Sequence, residues 1–189
     1  YKGLSRYFHL GTKAADFPVN SPSKEAIKAL KEGVALTDWG EYEKAKEWFL
    51  KAVSLDSGLA MTHLYLINNQ PSAEVVLKHL QSARNHIANG SAWEKLMLEF
   101  IDSYLTNNPQ KRVTVGHEMV KTYPQMARAH FLLASALEDA DKNDKSRDQY
   151  KKAISLAPEW AIVHQELAYS YLHYEPKLLD QALIHAQKG

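Results

Sequence analysis

Gly40-Glu41-Tyr42-Glu43-Lys44-Ala45-Lys46-Glu47-Trp48-Phe49-Leu50-Lys51-Ala52-Val53-Ser54-Leu55 is the stretch that decides the fold. Its apolar residues Ala45, Trp48, Phe49, Ala52, Val53 and Leu55 fall along one stripe of a helix. Gly40 suits the end of a preceding helix, and Glu41 places an acidic residue at the first turn of the next. Upstream, Ala26, Ile27, Leu30, Gly33, Val34 and Leu36 make an amphipathic helix with Ser23 as its N-cap. Residues 23–57 therefore predict two antiparallel helices joined by a tight turn.

The pattern returns further along the chain. Ala129, Leu133, Ala134 and Leu137 mark a first helix, Asp141 to Asp144 a turn, and Tyr150, Ala153, Ile154 and Leu156 a second helix closed by Pro158. Pro124 and Pro158 stand 34 residues apart, and a proline just past a helix end blocks its continuation. Trp160, Val163, Leu167, Ala168 and Tyr171 begin another copy. Its second helix carries Leu179, Ala182, Leu183 and Ala186 after a longer turn, His173 to Lys177.

Between these copies the pairing continues in weaker form. Ala60 to Asn68 reads as a short helix, Asn69 to Ser72 as a turn, and Ala73 to Ile87 as a helix. Asn89-Gly90-Ser91 breaks it. Trp93 to Leu105 follows as an apolar helix, Asn107-Asn108-Pro109 as a break, and Val113 to Tyr123 as its partner. Five units result, at about 23–57, 58–90, 91–124, 125–158 and 159–189. The chain stops inside the second helix of the fifth.

Composition narrows function. The 189 residues are 45% hydrophobic and 24% charged, as in an ordinary globular protein. A formal net charge of +1 offers no field for nucleic acid or an anionic membrane. Absence of cysteine removes disulfides, thiolate nucleophiles and the common zinc frameworks. No apolar run approaches the roughly 20 residues of a membrane span. The first residue is Tyr1, not Met, which implies processing or trimming and leaves the compartment open.

A period of 34 with two helices per unit is similar to the tetratricopeptide repeat. Gly33, Ala45, Phe49 and Ala52 carry the resemblance in the first unit. Leu133, Ala134, Leu137, Tyr150, Ala153 and Pro158 carry it in the fourth, where Ser146 replaces the usual alanine. Leu167, Ala168, Tyr171 and Ala182 carry it in the fifth. Units two and three depart from the motif, and the usual crossing alanine of the third falls at Arg112. An N-terminal extended segment and a short second unit, Leu59 to Leu80, resemble a group of bacterial members of the family. The resemblance implies an all-α, right-handed superhelical solenoid of about four and a half repeats. It also implies a concave groove lined by first helices that binds proteins or peptides.

On that reading, candidate groove residues are Leu30, Lys31 and Val34 in the first unit, Arg128, Phe131 and Ser135 in the fourth, and Gln165 and Tyr169 in the fifth. Phe131 and Tyr169 would be aromatic anchors, with Arg128 and Gln165 for polar groups. The alternative packs Phe131 and Leu132 against a neighbouring helix or the N-terminal segment. A Lys/Asn/Arg carboxylate clamp found in some members is absent: its places carry Leu30, Val34, Ile162 and Glu166.

Catalytic signals are missing. There is no phosphate loop, nucleophile elbow or paired-carboxylate motif, so the chain is expected not to be an enzyme and to need no cofactor. Glu94, Glu99 and Asp102 read as a solvated face, and Ala140 to Asp144 as a turn lacking the glycine and closing glutamate of a calcium loop. Nine histidines include His130 and His164 at equivalent repeat positions, but no metal-ligand spacing. Residues 1–22 are expected to form an extended or partly helical arm packed on the array or on a neighbouring chain, with Tyr7, Phe8, Leu10 and Phe17 as its apolar residues. The open end from Ala182 to Gly189 is expected to dimerise or to continue in a longer protein. The leading function is a protein-binding scaffold. The alternatives are a self-associating assembly module and the recruiting part of a larger enzyme or regulator.

Overall fold

The computed structural model describes residues 16–67 and 72–189. Tyr7, Phe8, Leu10 and most of the Asn69–Ser72 turn lie outside these residues. Among the described residues there are ten α-helices, one 3-10 turn at Ile87–Asn89, and no strand. The helices are α1 (Lys24–Asp38), α2 (Tyr42–Leu55), α3 (Ala60–Leu66), α4 (Ala73–His86), α5 (Ala92–Leu105), α6 (Pro109–Thr122), α7 (Ala127–Glu138), α8 (Asn143–Leu156), α9 (Ala161–His173) and α10 (Leu179–Ala186). The chain divides into two compact bodies, one of Ala15–Asp102 and one that includes Ser103–Gly189.

Helix starts follow from local chemistry. The Ser23 hydroxyl accepts the Ala26 amide at 3.1 Å, and Asn108 accepts the Lys111 amide at 3.0 Å with Pro109 at the first turn. Ser91 and Glu94 form a reciprocal capping box: Ser91 Oγ accepts the Glu94 amide, and Glu94 Oε2 accepts the Ser91 amide at 2.8 Å.

Helix ends share one device. Gly40, Asn107 and Asp141 all have positive φ, at 74°, 49° and 56°. Each donates its amide to a carbonyl three residues back, and the next residue donates to one five back. The pairs are Gly40 to Thr37 with Glu41 to Leu36, Asn107 to Tyr104 with Asn108 to Ser103, and Asp141 to Glu138 with Lys142 to Leu137. This left-handed cap satisfies the last carbonyls and reverses the chain within three residues. It recurs between first and second helices, so the repeat is written in the turns as well as the cores.

In the N-terminal body α1 packs on α2, α3 on α4, and α2 on α3. Gly33 permits the first of these. A Cβ there would stand 2.4 Å from Phe49 Cε1, and the Phe49 ring is itself buried and stacked 5.3 Å from Tyr65. In the C-terminal body α6 packs on α7, α7 on α8, and α9 on both α8 and α10. Tyr150, Trp160, Val163, Leu167 and Tyr171 form its core.

Three arginines sit deep in the C-terminal body, Arg112, Arg128 and Arg147. Arg112 takes the place where a small residue is usual, as Ala45 and Ser146 are in their pairs. Its buried guanidinium donates to Ser135 Oγ at 3.0 Å, pairs with Asp139, and lies 5.0 Å over the Tyr104 ring. Arg147 donates to the Ser170 and Tyr174 carbonyls at 2.8 and 2.7 Å. It thereby ties α8 to the end of α9.

Candidate partner-binding surface

The first-helix positions singled out in the sequence divide into two groups. In the N-terminal body Leu30 and Val34 are 0% exposed. They belong to the core, because α1 meets α3 as well as α2, and neither is open to a partner. Lys31 is open at its head and pairs with Asp16 at 2.9 Å. Glu94 also differs from the solvated face expected for it: it is 1% exposed, held by the capping box and by the Asn20 amide. Asp102 pairs with Arg84 at 2.7 Å.

In the C-terminal body the equivalent positions are more open. Gln165 and Tyr169 are exposed, one turn apart on α9. The Tyr169 ring is 50% exposed and lies 4.1 Å from the His173 ring and 6.1 Å from Tyr174. Leu172 is exposed beside them. Arg128 is buried with its guanidinium 4.7 Å over the Trp160 ring, which makes it a packing residue more than a donor for a peptide. Phe131 is wedged 5.0 Å from Trp160 and 6.0 Å from Tyr150, so most of its ring serves the core. The Ser135 hydroxyl accepts from Arg112.

Two carboxylates lie among these residues. Glu138 and Glu166 are half-buried, and burial raises both carboxyl pKa values. Hydrogen bonds from Ser170 and Tyr150 oppose the shift at Glu138, the Tyr150 hydroxyl donating at 3.0 Å. Burial, followed by the negative fields of Glu138 and Glu166, pushes the Tyr150 phenol up. Tyr174 is pushed up in the same way, with Asp139 adding to the field. Tyr169 and Tyr174 thus stand beside half-buried carboxylates, with Tyr150 in the core beneath them.

Histidines form a feature that no sequence spacing announced. His63, His130 and His164 are each the fourth residue of their helix. Each bonds through Nε2 to the carbonyl six residues earlier, at Ser57, Pro124 and Pro158, over 3.1, 3.0 and 2.9 Å. A carbonyl only accepts, so Nε2 carries the proton. Nδ1 faces the second helix of the pair: in His63 and His164 it is left as acceptor opposite His79 Nδ1 at 3.1 Å and His185 Nδ1 at 3.0 Å, while in His130 it lies 2.7 Å from Gln149 Oε1. The 34-residue spacing of His130 and His164 was the only visible trace. Among the described residues no group of three or more His, Asp or Glu side chains is placed to hold a metal ion. Nor is any helix among them long and apolar enough to cross a membrane.

At the C-terminal end Ala182 is buried, while Leu179, Leu183 and Ile184 on the same helix are exposed.

The sequence model of the tetratricopeptide repeat matches residues 29–58 and 127–159. These spans hold α2, α7 and α8 entire and most of α1. No curated protein matches the chain. Among solved structures, MamA AMB-1 is 18% identical over 86% of this chain and 88% of that one, at a TM-score of 0.44. A MamA RS-1 double mutant is 22% identical over 88% and 74%, at 0.40. YrrB, described as a TPR protein with an unusual peptide-binding site, is 18% identical over 86% and 87%, at 0.46.

Proposed function

This chain carries tetratricopeptide repeats, and from that premise we propose that it is a non-catalytic scaffold holding a peptide or partner protein on the first-helix face of α7 and α9. The observation that carries the reading is Tyr169, half-exposed within a cluster of His173 and Tyr174 and flanked by Gln165 and Leu172. A tyrosine held by ring neighbours offers a large contact area with little conformational entropy left to lose. Glu138 and Glu166 are held short of full solvation, so a cation brought beside them is favoured. The ligand is therefore a segment carrying Lys or Arg next to an apolar residue.

Phage-displayed random short peptides panned on the intact chain test this. The expected winners are basic, and Tyr169→Ala with Gln165→Ala weakens them by about tenfold or more, or ~1.4 kcal/mol. Both side chains are exposed, so helical content is unchanged. Acidic winners, or winners bound equally by the double variant, contradict the reading.

A second reading rests on Leu179, Leu183 and Ile184. An exposed apolar helix face is a stacking surface, and it favours self-association through α10. Light scattering across a concentration series checks it. A rise in mass that Leu183→Lys removes supports end-to-end assembly, and a constant monomer mass rejects it.

A further inference from the structure

The first-helix positions of the N-terminal body equivalent to the open ones on α9 are closed, and the surface beside them is held by the chain's own residues. Gln165 and Tyr169 are exposed, whereas Leu30 and Val34 at the matching places of α1 are sealed. All seven residues of α3 are buried, although a first helix in this kind of repeat leaves one face for a ligand.

Residues 16–21 lie on this body outside any helix. The Phe17 ring is 3% exposed, stacked between Tyr65 of α3 at 6.3 Å and Trp93 of α5 at 6.0 Å. The side chain of Asp16 pairs with Lys31 of α1 at 2.9 Å. The Pro18 carbonyl accepts from Ser91 Oγ at 2.8 Å, and the Asn20 amide donates to Glu94 Oε2 at 2.9 Å. Asp16, Pro18 and Asn20 remain exposed around the buried ring. One buried anchor, one ion pair and two main-chain bonds are how a foreign peptide docks.

The groups that form the seat are also held by contacts of their own. Ser91 and Glu94 cap α5, and Tyr65 is braced by Phe49 at 5.3 Å. Main-chain bonds accept any residue. Specificity therefore rests on the ring and on the acid before it.

We propose that residues 16–21 are a tethered ligand, and that the surface they cover on α1, α3 and α5 receives a partner peptide carrying an acidic residue directly before an aromatic one. This rests on the reading of the chain as a peptide-holding scaffold, and it adds a second surface with ligand chemistry opposite to that of α7 and α9. A tether holds its ligand at a local concentration near millimolar. An incoming peptide meets only the fraction of chains whose seat is open, and its apparent affinity falls by that fraction.

A fluorescein-labelled peptide of sequence Asp-Phe-Pro-Val-Asn-Ser, titrated by anisotropy, tests the proposal. Phe17→Ala is expected to bind it at least tenfold more tightly than the unaltered chain. Phe17→Ala also removes a buried ring, so Asn20→Pro provides a second route: it deletes the amide donated to Glu94 and leaves the core filled. That variant is expected to bind several-fold more tightly with unchanged helical signal. Trp93→Leu in either background abolishes the gain, as does alanine for phenylalanine in the peptide. Tyr169→Ala leaves it unchanged, which separates this seat from the α7–α9 surface. Equal affinity of the unaltered chain and both variants overturns the proposal, and so does a gain that survives Trp93→Leu.

Discussion

Gly33 is fixed by what lies opposite it. Phe49 occupies the space a methyl group would need, and Tyr65 backs the ring. Gly33→Ala is expected to cost about 1–3 kcal/mol through overpacking, read as a lower denaturant midpoint at unchanged slope. A neutral result would mean that the ring relaxes freely. The histidine pairs give a second prediction at this scale. Burial lowers the folded-state pKa of His63, His79 and His185 below 6.5, with His63 adding repulsion at His79 and His164 at His185, while the bond to the Ser57 carbonyl opposes the shift at His63. The unfolded chain therefore takes up protons first as pH falls. The contribution of these groups is fully present above about pH 6.5 and is lost as pH drops through the folded values. Thermal melts from pH 8 to pH 5 should fall across that window, and less steeply in His79→Gln with His185→Gln. An equal slope in that variant would remove the histidines from the account. The small positions and caps were legible in sequence because glycine, proline and serine act locally. The histidine contacts were not, because each joins two helices across a turn. Leu30 and Val34 were misread for a related reason: the stripe that faces a groove in one pair faces the core in another.

At the scale of the element, helix identity was largely written in the sequence. The apolar periodicity located the helices of α1, α2 and α7 to α10, and in the weaker stretch α3 packs on α4 as the sequence suggests. The start of α6 lay earlier than Val113, because Asn108 and Pro109, read as a break, are its cap and first turn. What the sequence hid was the shared turn, since Gly40, Asn107 and Asp141 look unrelated until their φ values are known. The turn makes a prediction. Asp141 occupies a conformation that costs a side-chain-bearing residue roughly 1 kcal/mol, so Asp141→Gly should stabilise by about 0.5–1 kcal/mol. Chemical denaturation measures it, and destabilisation would mean that the aspartate side chain matters more than its backbone. Arg147 bears on the packing of α9. Its hydrogen bonds from a charged donor to two carbonyls are worth about 1.5–3 kcal/mol each. Arg147→Ala should therefore unfold the C-terminal body at lower denaturant and raise amide exchange at Tyr174 first. Uniform exchange along α9 would contradict that order.

For the molecule as a whole, the repeats supply surfaces, and their chemistry differs between the two bodies. The turn of α9 that carries Gln165 and Tyr169 is open, while the N-terminal body holds its own segment against α1, α3 and α5. Candidate partner residues were legible only in part, because a repeat motif specifies which residues pack and leaves unspecified which of the others remain exposed. Gln165 and Tyr169 stand open, Arg128 and Phe131 are drawn into the core around Trp160, and only burial distinguishes them. Amide hydrogen exchange of the intact chain, with and without a basic peptide selected on it, tests the scaffold reading most directly. The account predicts slowed exchange along α7 and α9, centred on the turn that carries Gln165 and Tyr169. Protection confined to other helices, with α7 and α9 unchanged, would contradict it.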